Sequence, residues 1–204
     1  MAKERNQSGI YIFLIIVVMA AIINALLSRF AVVTFPSAPG VSALYFAAAF
    51  MITFTLWFGI WGAIAAYLGC FIGAGLADLP VMVNLYWSLA DFWVVLIPFI
   101  AFRKYQANVG LRTKRDFLVF YIFGWLLASL AGAIWGSIML AVGGIISWSD
   151  VLNTFITWFI GDLIVTVAIT PLLLRYFTGH IVRWGLDVKG YWTLGHSRSL
   201  SSGI

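Results

Sequence analysis

Apolar blocks about as long as a bilayer is thick recur along this chain and leave few folds open to it. A membrane-crossing helix needs about 20 consecutive apolar residues. Six stretches meet or approach that length: 10–30, 41–58, 61–77, 81–102, 117–142 and 151–176. Composition excludes a soluble alternative. A water-soluble domain carries about a quarter charged residues, whereas this chain is 9% charged and 63% hydrophobic. A transmembrane β-barrel is also excluded, because its strands alternate apolar and polar residues rather than running as solid apolar blocks. The expected fold class is therefore all-α: a polytopic transmembrane helix bundle of about six spans. The breakers between the second and third stretches are Gly59 and Gly62, so the turn there must be tight.

Charge tests the count. Lys3 and Arg5 precede the first span. Arg103, Lys104, Arg112, Lys114 and Arg115 lie between the fourth and fifth, and Arg175, Arg183, Lys189 and Arg198 lie at or beyond the end of the sixth. With six spans and a cytoplasmic N-terminus, all of these fall on one side and Arg29 alone on the other, which is the positive-inside pattern. Both ends are thus expected in the cytoplasm. The first stretch reads as a retained helix, since it is too long for a signal-peptide core and no Ala-x-Ala site follows it. Residues 1–177 are expected to form a single transmembrane domain and 178–204 a short cytoplasmic tail.

Small residues recur every three or four positions in two spans. Gly62, Ala66, Gly69 and Gly73 form one series, and Ala128, Ala131, Gly132 and Gly136 form another. Such spacing lets backbones approach closely, so these faces should pack helix against helix.

Polar groups inside a bilayer are expensive and need a partner or a task. Asp162 lies deep in the sixth span, where an ionised carboxylate must face the bundle interior, water or a cation. Its alternative is a hydrogen-bonded clamp between helices. In the fourth span Asn84, Trp87, Ser88 and Asp91 share one helical stripe. That stripe reads as a wall of an occluded site or as a polar seam. Trp87, Trp135 and Trp158 lie deep enough to stack on a ligand or to pack the core. Trp148 and Trp184 sit where interfacial belt anchors belong. The candidate ligand-binding set is therefore Asp162, Trp158, Asp91, Asn84, Trp87 and Trp135.

Catalytic inventories fail, and no enzyme activity, cofactor or metal is expected. His180 and His196 both lie in the tail without a cysteine or carboxylate cluster, which argues against zinc. Gly-x-Ser-x-Gly and a Gly-rich Lys-Ser/Thr loop are absent from the sequence. The contexts of Asp91 and Asp162 lack the Tyr-Asp and Gly-x-Gly-Asp patterns of two-aspartate membrane proteases. Cys70, the single cysteine, reads as a small packing residue. The basic loops suit anionic lipid headgroups or an acidic partner surface, and nothing points to nucleic acid.

Two stretches carry a resemblance. The first is Phe35-Pro36-Ser37-Ala38-Pro39-Gly40 before the second span. The second runs from Ala131-Gly132-Ala133-Ile134-Trp135-Gly136 through Gly143-Gly144 and Trp148-Ser149-Asp150 to Trp158-Phe159-Ile160-Gly161-Asp162 and Thr170-Pro171-Leu172-Leu173. Together these resemble the MASE1 family of integral membrane sensory domains from bacterial signalling proteins. That family has a Trp-Pro-Pro-Ala-Gly segment and a last helix with Trp-x-x-Gly-Asp followed by Thr-Pro-Leu-Leu. Here Phe35 and Ser37 replace two motif positions, and Ala90-Asp91 stand where the family tends to have Gly-Asn. The resemblance implies a small-molecule sensor in a prokaryotic cell membrane, with Trp158 and Asp162 as the positions carried over. Family members continue into a kinase or cyclase output domain. With under thirty residues after position 176, this chain is expected to signal through a separate partner.

The architecture is also similar to the substrate-binding S components of energy-coupling-factor transporters. These are six-helix chains that borrow energy from separate ATPase subunits and show small-residue stripes on their coupling face. Here Ala20, Ala21 and Ala25 with Gly62, Ala66 and Gly69 would supply that face. A third reading is a structural subunit of a membrane complex with no ligand.

Overall fold

The computed structural model describes residues 2–33, 43–184 and 186–187. Its helices are α1 (Ala2–Phe30), α2 (Ala47–Phe58), α3 (Ile60–Asp78), α4 (Val81–Lys104), α5 (Lys114–Val142) and α6 (Val151–Arg183). Four of them, α3 to α6, are long and apolar enough to cross a membrane. Leu14–Phe30 within α1 and the whole of α2 are shorter apolar helices. The all-α reading holds apart from one two-residue antiparallel ladder, β1 (Val32–Val33) with β2 (Leu44–Tyr45).

That ladder corrects the expected second span. Residues 43–46 are extended or turning, and the helix begins only at Ala47. The backbone groups of Leu44 and Tyr45 pair with Val33 and Val32 instead of entering a helix. In contrast, α6 continues past residue 176 to Arg183. The Phe35-Pro36-Ser37-Ala38-Pro39-Gly40 motif, His196, Lys189 and Arg198 lie outside the described residues.

α2 occupies the centre. At 1.5 Å per residue it is about 18 Å long, too short to cross a hydrocarbon core of about 30 Å. Its sequence is apolar on every side, as expected of a helix walled by protein. Ala47, Ala48, Ala49, Met51 and Ile52 have no exposed surface, and α1, α3, α4 and α6 all pack on it. Gly59 alone separates α2 from α3, with φ +64° and ψ −138°. A side chain is strained in that conformation, so glycine makes the tight turn possible.

The small-residue faces are helix contacts, as the spacing suggests. A methyl group on Gly62 would meet Phe54 and Thr55 of α2, and one on Gly69 or Gly73 would meet Asn24 or Ala25 of α1. On α5, Gly132 faces Val94 of α4 and Gly136 faces the Trp158 ring of α6. The apolar stripes point the other way. Leu152, Ile156, Ile160 and Ile164 are exposed along α6, while Thr154, Trp158, Asp162 and Val165 behind them are buried. An apolar exterior around buried polar groups suits a lipid environment. Trp148 and Trp184, at opposite ends of α6, are exposed as interfacial anchors would be. Arg29 lies 3.6 Å from Asp78 at the end of the bundle away from the other described arginines.

Candidate functional site

The site is assembled around one turn of α6. Trp158 Nε1 donates to Asp162 Oδ2 at 3.1 Å, a contact set by the four-residue helical spacing. The Trp158 ring reaches α5 because Gly136 has no side chain in its way. On the other side it packs on Trp87 of α4, with ring centroids 5.6 Å apart at 53°. Gly161, next to the aspartate, lets the carbonyl of Ala43 approach α6 at the foot of β2. Each named position of Trp158-x-x-Gly161-Asp162 therefore has a separate mechanical role: ring, backbone approach and carboxylate.

Asp91 anchors the neighbouring half. Tyr45 Oη donates to Asp91 Oδ2 at 3.1 Å, and the same hydroxyl lies 2.6 Å from Ser28 Oγ of α1. The chain Ser28–Tyr45–Asp91 thus crosses from α1 to α4 through the residue that the β-ladder positions. Cys70 is buried, as expected of the small packing residue read from sequence. Asp162 lies within electrostatic range of Asp91, so the two halves share one field.

Asn84 is tied off locally. Its side-chain nitrogen donates to the carbonyl of Phe71, at the start of a π-helical turn in α3, at 2.9 Å. Its Oδ1 accepts from Ser88 Oγ at 2.7 Å. Widened turns of this kind shift backbone groups out of the regular ladder, and Asn84 takes up one of them. Trp135 stands apart from the rest. It is partly buried, donates from Nε1 to the carbonyl of Tyr86 at 2.7 Å, and packs edge-on against Trp93 at 5.8 Å. Asp162, Trp158 and Trp87 are brought together, Asp91 is linked electrostatically, and Asn84 and Trp135 serve helix contacts.

The remaining hydrogen-bonding capacity is unusual. Asp162 Oδ1, Trp87 Nε1, Ser129 Oγ, Ser137 Oγ and Thr154 Oγ1 are all buried without a partner. These come from α4, α5 and α6, the helices that meet at Trp158, while the side chains of Asn24 in α1 and Thr55 in α2 are buried and unpaired as well. A buried polar atom left unpaired costs about 1–3 kcal/mol. Moreover, no lysine, arginine or histidine is buried among the residues whose side chains are described, although Asp91 and Asp162 are 2% and 1% exposed. Two carboxylates therefore occupy a low-dielectric interior with no buried side-chain cation beside them.

Sequence reasoning missed Tyr45, Ser28, Ser137 and Thr154 as members of this core. Hydroxyls are common in helices, and only the fold shows which of them face inward. No family model, curated protein or solved structure matches the chain.

Proposed function

We propose that this chain is a MASE1-like sensory protein of a prokaryotic cytoplasmic membrane. Its six helices place both ends in the cytoplasm, and it binds a small molecule among α4, α5 and α6 and signals through a separate partner chain. One observation carries the ligand: two buried carboxylates with no buried cationic side chain, beside unpaired hydrogen-bonding groups. A carboxylate ionised in this interior without a counter-charge would cost several kcal/mol. A compact organic cation would balance that charge, accept stacking from Trp87 and Trp158, and meet the free Asp162 Oδ1. Indole faces attract cations in addition to packing them. Among the described residues no cluster of three or more His, Cys, Asp or Glu side chains forms, so the donor set is thin for a metal ion.

The orientation is supported by the basic residues at the α4–α5 turn and the α6 end, which gather at one end of the bundle. The alternative of a transporter S component keeps its support in size and architecture; of its expected coupling face, Gly62 packs on α2 and Gly69 on α1.

Purification from native membranes in mild detergent tests the reading. A histidine kinase or cyclase retained with the chain is the expected result. A pair of ATPase subunits with a coupling membrane protein would instead identify a transporter component.

A further inference from the structure

The basic end of the bundle contains a feature that the ligand core does not use. A cavity of about 1000 Å³ lies between the end of α4, the connection to α5, the α2–α3 turn and the last turns of α6. This is at the top of the usual range for ligand cavities, about 300–1,000 Å³. We infer that it holds the phosphate headgroup of an anionic phospholipid. The inference requires only that the bundle lies in a membrane, and it is independent of the ligand assigned to the core.

The lining is divided by chemistry. Leu56, Trp57, Phe99 and Phe102 supply an apolar side. Arg103, Arg112, Arg175 and Arg183 supply a cationic side, with Asp187, His180 and Tyr176 as the other titratable groups of the lining. Arginine guanidinium groups match phosphate oxygens in geometry as well as charge. Tyr176 and Val182 of this lining are exposed, as is Trp184 just beyond α6, so the cavity opens onto an aromatic and apolar surface suited to lipid chains. A soluble phosphate would use the arginines but not this apolar continuation. A basic recess at the end of a membrane helix bundle is the arrangement that anionic headgroups bind.

One arginine of the cationic side is held by the fold. Arg175 donates to the carbonyl of Leu111 at 2.9 Å. Leu111 is fully buried yet has φ +49°, and Gln106 has φ +50°. Side chains seldom adopt that backbone region, and it persists where surrounding structure holds it. Asp116 does the holding: its carboxylate accepts from the backbone N–H groups of Asn108 and Thr113, each at 2.8 Å. Trp57 donates to Thr178 at 2.9 Å and ties α2 to α6 across the cavity.

Native mass spectrometry and thermal unfolding of the full chain provide the test. Phosphatidylglycerol should remain bound and raise the melting temperature, whereas phosphatidylcholine should do neither. Each basic residue near an anionic membrane surface contributes about 1 kcal/mol, so Arg112→Gln with Arg183→Gln should weaken retention about 30-fold. A charge-matched variant outside the cavity, Lys104→Gln with Lys114→Gln, should retain the lipid. Equal loss in both variants would replace the site with a diffuse field and overturn the proposal. Stabilisation by inorganic phosphate as strong as that by the lipid would overturn it in favour of a soluble ligand. If the arginine variant fails to fold, absence of any retained phosphatidylglycerol on the unmodified chain would overturn it directly.

Discussion

Trp158 donates to one oxygen of Asp162 across a single turn of α6 and leaves the other oxygen buried and unpaired. The indole therefore orients the carboxylate without saturating it. A clamp between helices would use both oxygens. Here the second oxygen is free, and the helices packed at Trp158 carry further unpaired polar groups, which is why this pair is read as the centre of a binding site.

Trp158→Phe keeps an aromatic ring against Gly136 but removes the donor. Oδ2 of Asp162 would then be buried without a partner, at a cost of about 1–3 kcal/mol. Thermal unfolding in detergent should show the loss. An unchanged midpoint would mean that the hydrogen bond has no structural weight.

Gly161→Ala tests the backbone approach at the same turn. The added methyl would meet the carbonyl of Ala43, which belongs to a segment fixed by the β-ladder. Overpacking of this kind destabilises by about 1–3 kcal/mol. Gly179→Ala, in the same helix with open space around it, is the control. It should be neutral or stabilising by up to about 1 kcal/mol, because alanine favours helix. Equal effects at both positions would remove the special role of Gly161.

Orientation has a direct check. Ser147 and Lys114 are both exposed and lie at opposite ends of α5. With Cys70 buried, Ser147→Cys should react with a membrane-impermeant maleimide in intact cells, and Lys114→Cys only after the membrane is opened. The reverse labelling would invert the proposed topology.

The helices were legible in the sequence where the signal is one of length and charge. The long apolar runs of α3 to α6 needed no tertiary information, but of the two expected breakers only Gly59 makes the turn and Gly62 lies inside α3. The β-ladder did not announce itself, since Leu44 and Tyr45 are apolar residues inside an apolar run and only their pairing with Val32 and Val33 takes them out of the helix. The site was legible in part for the same reason. Asp91 and Asp162 stand out because charge inside a bilayer is rare. Tyr45 does not, because an aromatic residue near the end of a span reads first as an interfacial anchor. Trp135 shows the opposite failure. Its depth suggested the core, but one helical position turned it towards Trp93 and the outer wall.

The most direct measurement is ligand-induced thermal stabilisation of the purified chain against a panel of compact organic cations, repeated with Asp162→Asn. The unmodified protein should be stabilised by at least one cation, and the variant should stay folded while its apparent affinity for that cation falls tenfold or more, about 1.4 kcal/mol. Equal stabilisation of both proteins, or none by any cation, would contradict the assignment of the Asp162 carboxylate to a binding site.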